Sequence, residues 1–313
     1  MYNNTKPQAF LQRLGRDLKR YSGAYLLAVP VVLYYLLFCY KPMYGIVIAF
    51  KNFRPGRGIW GSDWADCFGL QHFIDFFGSY YFDRIIKNTL AISITTLVVG
   101  FPIPIIFALL LNEVKNQKLK RITQTISYMP HFISLVIFCN LVKIFVSERG
   151  IITLIVSYFG GPDLSLLNYP DYFLPIYVLS DIWKNMGWNS IIYLAALAGV
   201  DQELYEAAKI DGAGRWKQTL HVTIPGISGT MIILLLLNLG KMMNVGYEKI
   251  ILLYNSGIYE TADVISTFVY RKGLLDMQWS YSTAVGLFNS VINFTLVMIF
   301  NKISKKVTEI GLW

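Results

Sequence analysis

The stretch Asp201-Gln-Glu-Leu-Tyr-Glu206-Ala207-Ala208-Lys-Ile-Asp211-Gly212-Ala213-Gly-Arg-Trp-Lys-Gln-Thr-Leu-His-Val-Thr-Ile-Pro225 reads as two short helices joined by a tight turn. Asp201 is suited to cap the first helix, and Glu203 falls in its first turn, where the exposed backbone N–H groups favour negative charge. Gly212 adopts positive φ at little steric cost and so ends that helix. A second short helix follows, and Pro225 marks the start of a long apolar run. Physics alone makes this hairpin a compact docking element between two apolar segments.

Outward from the hairpin, the chain is unusually apolar. Of its 313 residues 55% are hydrophobic and 15% charged, against about a quarter charged in soluble domains; mean hydropathy is +0.46. Apolar runs cover Ala24–Tyr40, Thr89–Leu111, Ile122–Val146, Leu174–Leu197, Ile227–Val245 and Thr283–Ile303. Each approaches the roughly 20 residues that a helix needs to cross a bilayer, which predicts an all-α, polytopic membrane protein with about six spans. Residues 1–23 form a basic amphipathic segment, with Phe10, Leu14, Leu18 and Tyr21 at helical spacing among Arg13, Arg16, Lys19 and Arg20. Residues 24–313 form one transmembrane domain that includes the 200–225 hairpin. No small-residue cleavage site follows the first run, so it reads as an anchor.

The net charge of +9 is not gathered into a strip interleaved with aromatics, which argues against nucleic acid. It alternates between connections instead. With both termini cytoplasmic, the inner segments hold the N-terminal cluster, Lys115, Lys118, Lys120 and Arg121, then Lys209, Arg215 and Lys217, and finally Lys302, Lys305 and Lys306. That pattern puts the chain in the cell membrane with the hairpin inside. The loop over Lys41–Asn88 is then outside, and its aromatics, Phe76 among them, suit a membrane–water boundary, with a surface helix expected over Gly69–Asn88. Cys39, Cys67 and Cys139 lack the spacing of a metal knuckle or a CxxC pair; Cys39 and Cys139 read as packing residues.

Catalytic motifs are missing. There is no GxxxxGKS/T cradle for nucleotide phosphates, and His72, His131 and His221 do not build HExxH. No GxSxG elbow occurs. The expectation is a chain that is no enzyme, with no ATPase site, no metal and no bound cofactor; if it does energised work, another subunit supplies the nucleotide chemistry.

Polar groups inside apolar runs are costly and usually face a cavity or a partner. Asp181, Asn185 and Asn189 recur at i, i+4 and i+8 and share one helix face, flanked by Lys184 and Trp188. Asn238 and Lys241 lie in the fifth run, and Asn289 and Asn293 lie one turn apart in the sixth. These residues are the candidate solute path, with Trp183, Trp188 and Tyr193 as aromatic faces for sugar rings. Interhelical hydrogen bonding is the competing role for the same amides.

The hairpin resembles the EAA loop of binding-protein-dependent ABC importer permeases, through Glu206-Ala207-Ala208, Asp211-Gly212-Ala213 and Ile224-Pro225. Thr219 departs from that pattern, which has an aromatic there. Three further stretches are similar to the carbohydrate-uptake, polysaccharide-type branch: Ala108 to Val114, Tyr128 to Ser134, and Ala262 through Arg271. The resemblance implies a type I importer (MetI-like) fold, a second permease, an ABC ATPase dimer that binds ATP and Mg, and an extracytoplasmic solute-binding protein. It also implies that Glu206, Ala207, Ala208, Asp211, Gly212 and Ala213 couple this chain to the ATPase, and that the cargo is an oligosaccharide or modified sugar. The alternatives are a permease for a non-sugar solute and an ATP-independent secondary transporter, although the two repeats the latter often carries are not visible.

Overall fold

A computed structural model describes residues 20–309 and 311–312. The basic segment expected over 1–23 therefore lies outside the described residues, save for its last four. The chain divides into two compact units, one ending at Gln71 and one beginning at His72.

In the first unit a helical run, α1, covers Ser22–Phe50 and is long and apolar enough to cross a membrane. It leads into a two-stranded antiparallel ribbon, β1 (Lys51–Asn52) and β2 (Asp63–Trp64), with Lys51 opposite Trp64. Lys51 is buried, and its Nζ donates to the carbonyls of Ile59 at 3.0 Å and Ser62 at 3.0 Å, so the loop folds around a solvated-by-backbone cation. Cys39 and Cys67 are exposed, so Cys39 is not the packing residue expected of it.

The second unit is helical. After α2 (Gln71–Phe77) come α3 (Phe82–Glu113), α4 (Gln117–Phe132), α5 (Leu135–Phe145), α6 (Ile151–Tyr158) and α7 (Pro170–Ala198). Then come α8 (Gln202–Ile210), α9 (Arg215–Leu239), α10 (Tyr247–Leu253), α11 (Ile265–Tyr270) and α12 (Trp279–Thr308). The surface helix expected over Gly69–Asn88 is not one helix: it breaks after Phe77, and Phe82 already opens α3. Phe76 is no boundary aromatic either. It is fully buried, with Phe82, Phe268 and Phe288 packed around it at ring separations of 5.1 to 6.4 Å.

Among the described residues, α1, α3, α9 and α12 are long and apolar enough to span a bilayer. The run Ile122–Val146 is no straight span, because α4 and α5 meet at 103°. The elbow follows from sequence: Met129–Phe132 tightens into a 3₁₀ turn, Ile133 is extended, and Ser134 caps α5 by accepting from Ile137 N. With its 29 residues, α7 measures about 43 Å, enough to cross, but Asp181, Lys184, Asn185 and Asn189 dilute its apolar surface.

Three wide, π-type turns interrupt the long helices at Tyr35–Tyr40, Thr96–Gly100 and Thr219–Thr223. Each precedes a proline, at Pro42, Pro102 and Pro225 respectively. A helical proline collides with the carbonyl four residues back and offers it no N–H. Those carbonyls belong to Phe38, Val98 and His221, one inside each wide turn, where the expanded backbone gives the ring room. Pro225 therefore does not separate a short helix from a span. The second arm of the hairpin and the span are one helix, Arg215–Leu239.

Within this unit α3, α4 and α9 pack against α7, most extensively the Pro102–Glu113 part of α3, while α12 packs on α9 and α11. Gly187 makes the crossing with α4 tight: a Cβ there would overlap the backbone carbonyl of Ser127. Between tails as apolar as leucine, such close van der Waals contact is what holds helices together. One core, with Phe138, buried Cys139 and Phe173, fills one part of the unit, and another, with Ala108, Tyr193, Leu197 and Ile227, roots the hairpin.

Candidate functional site

Two features of the second unit bear on function: a cavity of mixed polar and apolar lining among α3, α7, α9 and the segment after it, and the projecting 201–223 hairpin.

The cavity encloses about 480 Å³, within the range of small-molecule sites. The expected face of α7 supplies Asp181, Asn185 and Asn189 to its wall. Asn238, near the end of α9, and Lys241, just beyond it, complete the set. Residues 240–246 are not helical throughout, and such irregular backbone is tolerated at membrane depth where it lines a cavity. Five of the eight path residues expected from sequence thus share one chamber.

The other three do not. Trp188 turns away and stacks on His131, with ring centroids 4.6 Å apart and planes 2° from parallel. Asn289 and Asn293 on α12 are largely buried behind the chamber. Their Nδ2 atoms donate to Asn244 Oδ1 at 2.8 and 3.1 Å, while Asn293 Oδ1 accepts from Met243 N at 3.0 Å. They fix the 240–246 segment, the interhelical role that competed with transport at these positions. Trp183 packs on Phe138 and Phe145 outside the chamber. Lys184 also points away, its Nζ donating to the carbonyls of Pro130, His131 and Ile133 at 3.1, 3.3 and 2.7 Å. It thereby satisfies the carbonyls that the α4–α5 elbow frees.

Sequence reasoning missed Lys249. Its Nζ, buried on α10, donates to Asp181 Oδ1 at 3.2 Å and to Tyr177 O at 2.8 Å. Asp181 Oδ1 also accepts from Asn185 Nδ2 at 3.3 Å. A lone lysine in Tyr247-Glu-Lys249-Ile-Ile-Leu-Leu253 was a readable signal of a buried partner. Asn244, which lines the chamber beside Lys241, was missed as well. A second buried acid, Asp263, is fully enclosed and takes Arg271 at 2.7 Å and Arg84 at 3.4 Å. It ties α3 to α11, within the stretch from Ala262 to Arg271.

The hairpin is built as the residues require. Asp201 Oδ1 accepts from Glu203 N at 3.0 Å and caps α8. Gly212 has φ +76°, Ala213 N donates to Ala208 O at 2.8 Å, and Gly212 N donates to Lys209 O at 3.0 Å. That is a Schellman closure, with glycine at the left-handed position. Gln218 Nε2 donates to Ala213 O at 2.7 Å, and the Tyr205 and Thr223 hydroxyls meet at 2.9 Å, fastening the two arms. Thr219 turns its hydroxyl to Arg215 O at 3.0 Å. Glu206, Ala207, Asp211 and Gly212 are exposed, and Ala208 and Ala213 partly so. Ile210 and Trp216, on either side of the turn, are 86% and 74% exposed, a large apolar surface for a loop that no described residue covers. Arg215 reaches Glu113 at the end of α3, 3.7 Å away, so the stretch from Ala108 to Val114 ends beside the hairpin.

Comparison with known proteins gives the family. Residues 100–309 match the family described as binding-protein-dependent transport system inner membrane component. The chain is 44% identical over 290 residues to the polygalacturonan/rhamnogalacturonan transport system permease protein YteP of Bacillus subtilis (strain 168), covering 92% of this chain and 89% of that one. It is 44% identical over 297 residues to the protein LplB of the same organism, covering 95% and 92%. It is also similar to a chain in the crystal structure of a bacterial alginate ABC transporter in complex with an alginate pentasaccharide-bound periplasmic protein. There the TM-score is 0.86 at 42% identity, over 96% of this chain and 100% of that one.

Proposed function

The chain belongs to the binding-protein-dependent transport system inner membrane components, and from that premise we propose that it is one transmembrane half of an ATP-driven importer of an oligosaccharide or modified sugar. It pairs with a second, related permease. Two ATPase subunits grip the pair from the cytoplasm and hold ATP and Mg, while an external solute-binding protein delivers the cargo. The relatives named for polygalacturonan/rhamnogalacturonan and for alginate support a saccharide cargo. Both termini are cytoplasmic in this reading, in line with the lysine and arginine distribution.

The carrying observation is the hairpin. A Schellman turn holds it in one shape, and it presents Ile210, Trp216 and the Glu206 carboxylate to a partner outside this chain. An ATPase groove that closes on this surface moves it, and the helices rooted beneath it wall the cavity. The two-state element is the pair of permease halves, rocking between inward-open and outward-open forms. ATPase closure biases it from one side and the loaded binding protein from the other. Asn185, Asn189 and Asn238 offer amides to sugar hydroxyls along the way.

The test is uptake of a labelled oligosaccharide into vesicles that hold the assembled transporter, with and without trapped ATP. Uptake is expected only with ATP inside and the binding protein outside. Full-rate uptake without ATP refutes the reading in favour of an ATP-independent carrier.

A further inference from the structure

We infer that Lys241 selects for an acidic cargo, its ammonium pairing with the carboxylate of a uronic acid unit as the saccharide passes the cavity. This inference rests on the importer reading above and narrows its substrate class.

The charged residues in the cavity wall are Asp181 and Lys241. Asp181 is already compensated, by Lys249 at 3.2 Å and by the Asn185 amide at 3.3 Å. Lys249 in turn is held by the Tyr177 carbonyl at 2.8 Å, so that ion pair closes on itself in the wall. Lys241 differs. It is exposed and lines the chamber, and its ammonium makes no hydrogen bond or ion pair with any described residue. The chamber therefore carries one uncompensated positive charge.

That charge is also well placed. Asn293 and Asn289 brace the neighbouring Met243 backbone and Asn244 side chain from behind, which fixes the segment that bears Lys241. Asn238 lies one turn before it, and Asn185 and Asn189 line the same space, all neutral groups suited to hydroxyls. An ammonium inside a membrane protein is costly without a partner, and a neutral sugar gives it none. A carboxylate supplies a charge-assisted hydrogen bond. Lysine is a compact point charge that makes no bidentate fork, so it holds a moving anion without trapping it, as a conducting site must.

The experiment uses the assembled importer in lipid nanodiscs without the solute-binding protein, so that the cavity alone is read. The probes are trigalacturonate and its fully methyl-esterified derivative, equal in length and different in charge. Wild type is expected to bind the acid about tenfold tighter than the ester, the ratio worth one charge-assisted contact. Lys241→Gln brings the ratio close to one, and Lys241→Arg keeps it. A ratio near one in wild type overturns the inference without reference to any variant. So does a preference that survives Lys241→Gln, or an equal loss of both probes, the outcome if Lys241 pairs with an acid of the second permease. If neither probe binds while a neutral oligosaccharide enters with ATP, this inference falls and the importer reading stands; if only a non-sugar solute enters, the saccharide reading falls too. Uptake that ignores ATP sinks the importer reading instead.

Discussion

Gly212 carries a conformation that no other residue in the hairpin takes. Its φ of +76° is in the left-handed region, and nothing lies within 4 Å of where a Cβ would sit. A substitution there strains the backbone without a clash, by roughly 1–2 kcal/mol for an ordinary L residue. Gly212→Val is therefore expected to leave the protein in the membrane but to open the turn. The ratio of solute imported to ATP hydrolysed should fall about 5- to 30-fold, the equivalent of that strain. Gly212→Asn, a residue that tolerates this conformation, should keep most of the ratio. Reconstituted transporter assayed for both quantities decides it, and an unchanged ratio in the valine variant excludes the turn from coupling. The hairpin was legible in the sequence because its determinants are local: a cap, a glycine and their spacing. The chamber was legible only in part. Polar residues in apolar runs announce that they need company, but Asn238 and Asn293 give the same announcement, and only the fold separates a wall residue from a brace.

Among the elements, α7 gathers the most constraints. It places Asp181 and Asn185 on the chamber face, sends Lys184 to the elbow, and lets α4 approach at Gly187. The Asp181–Lys249 pair joins it to α10, an element too short and too mixed to stand out in the sequence. Removing one partner of a buried pair costs about 3–5 kcal/mol, and the one-third exposure of the Asp181 side chain puts the effect at the lower end. Lys249→Met should thus lower thermal stability in detergent markedly, while Lys249→Met combined with Asp181→Leu should recover a good part of the loss. Equal melting of Lys249→Met and wild type would mean the pair holds nothing. The elbow was illegible for a different reason. The run Ile122–Val146 has the length and apolarity of a straight span, and the bend depends on Lys184, more than 50 residues away, to satisfy the carbonyls it frees.

At the scale of the whole molecule, hydropathy gave the long helices α1, α3, α9 and α12 and the all-helical class. It could not report that Pro42, Pro102 and Pro225 are accommodated by widened turns, since that depends on backbone geometry three or four residues upstream. Orientation is testable directly. In a background without Cys39 and Cys67, single cysteines replacing Lys217 and Lys306 should react with a membrane-impermeant maleimide only after the cells are permeabilised. One replacing Arg57, in the β1–β2 loop, should react in intact cells. The reverse pattern would invert the topology and put the hairpin beyond the reach of any cytoplasmic ATPase. Finally, Trp216 and Asn238 sit on one continuous helical run, widened at Thr219–Thr223, so in the proposed importer its two ends are geared together. At 3.6 residues per turn, one residue added or removed between them swings Asn238 by about 100° around the axis. In the proposed importer, the length of this shaft, and not only its chemistry, would thus set which side chain faces the cavity when the hairpin is held by its ATPase.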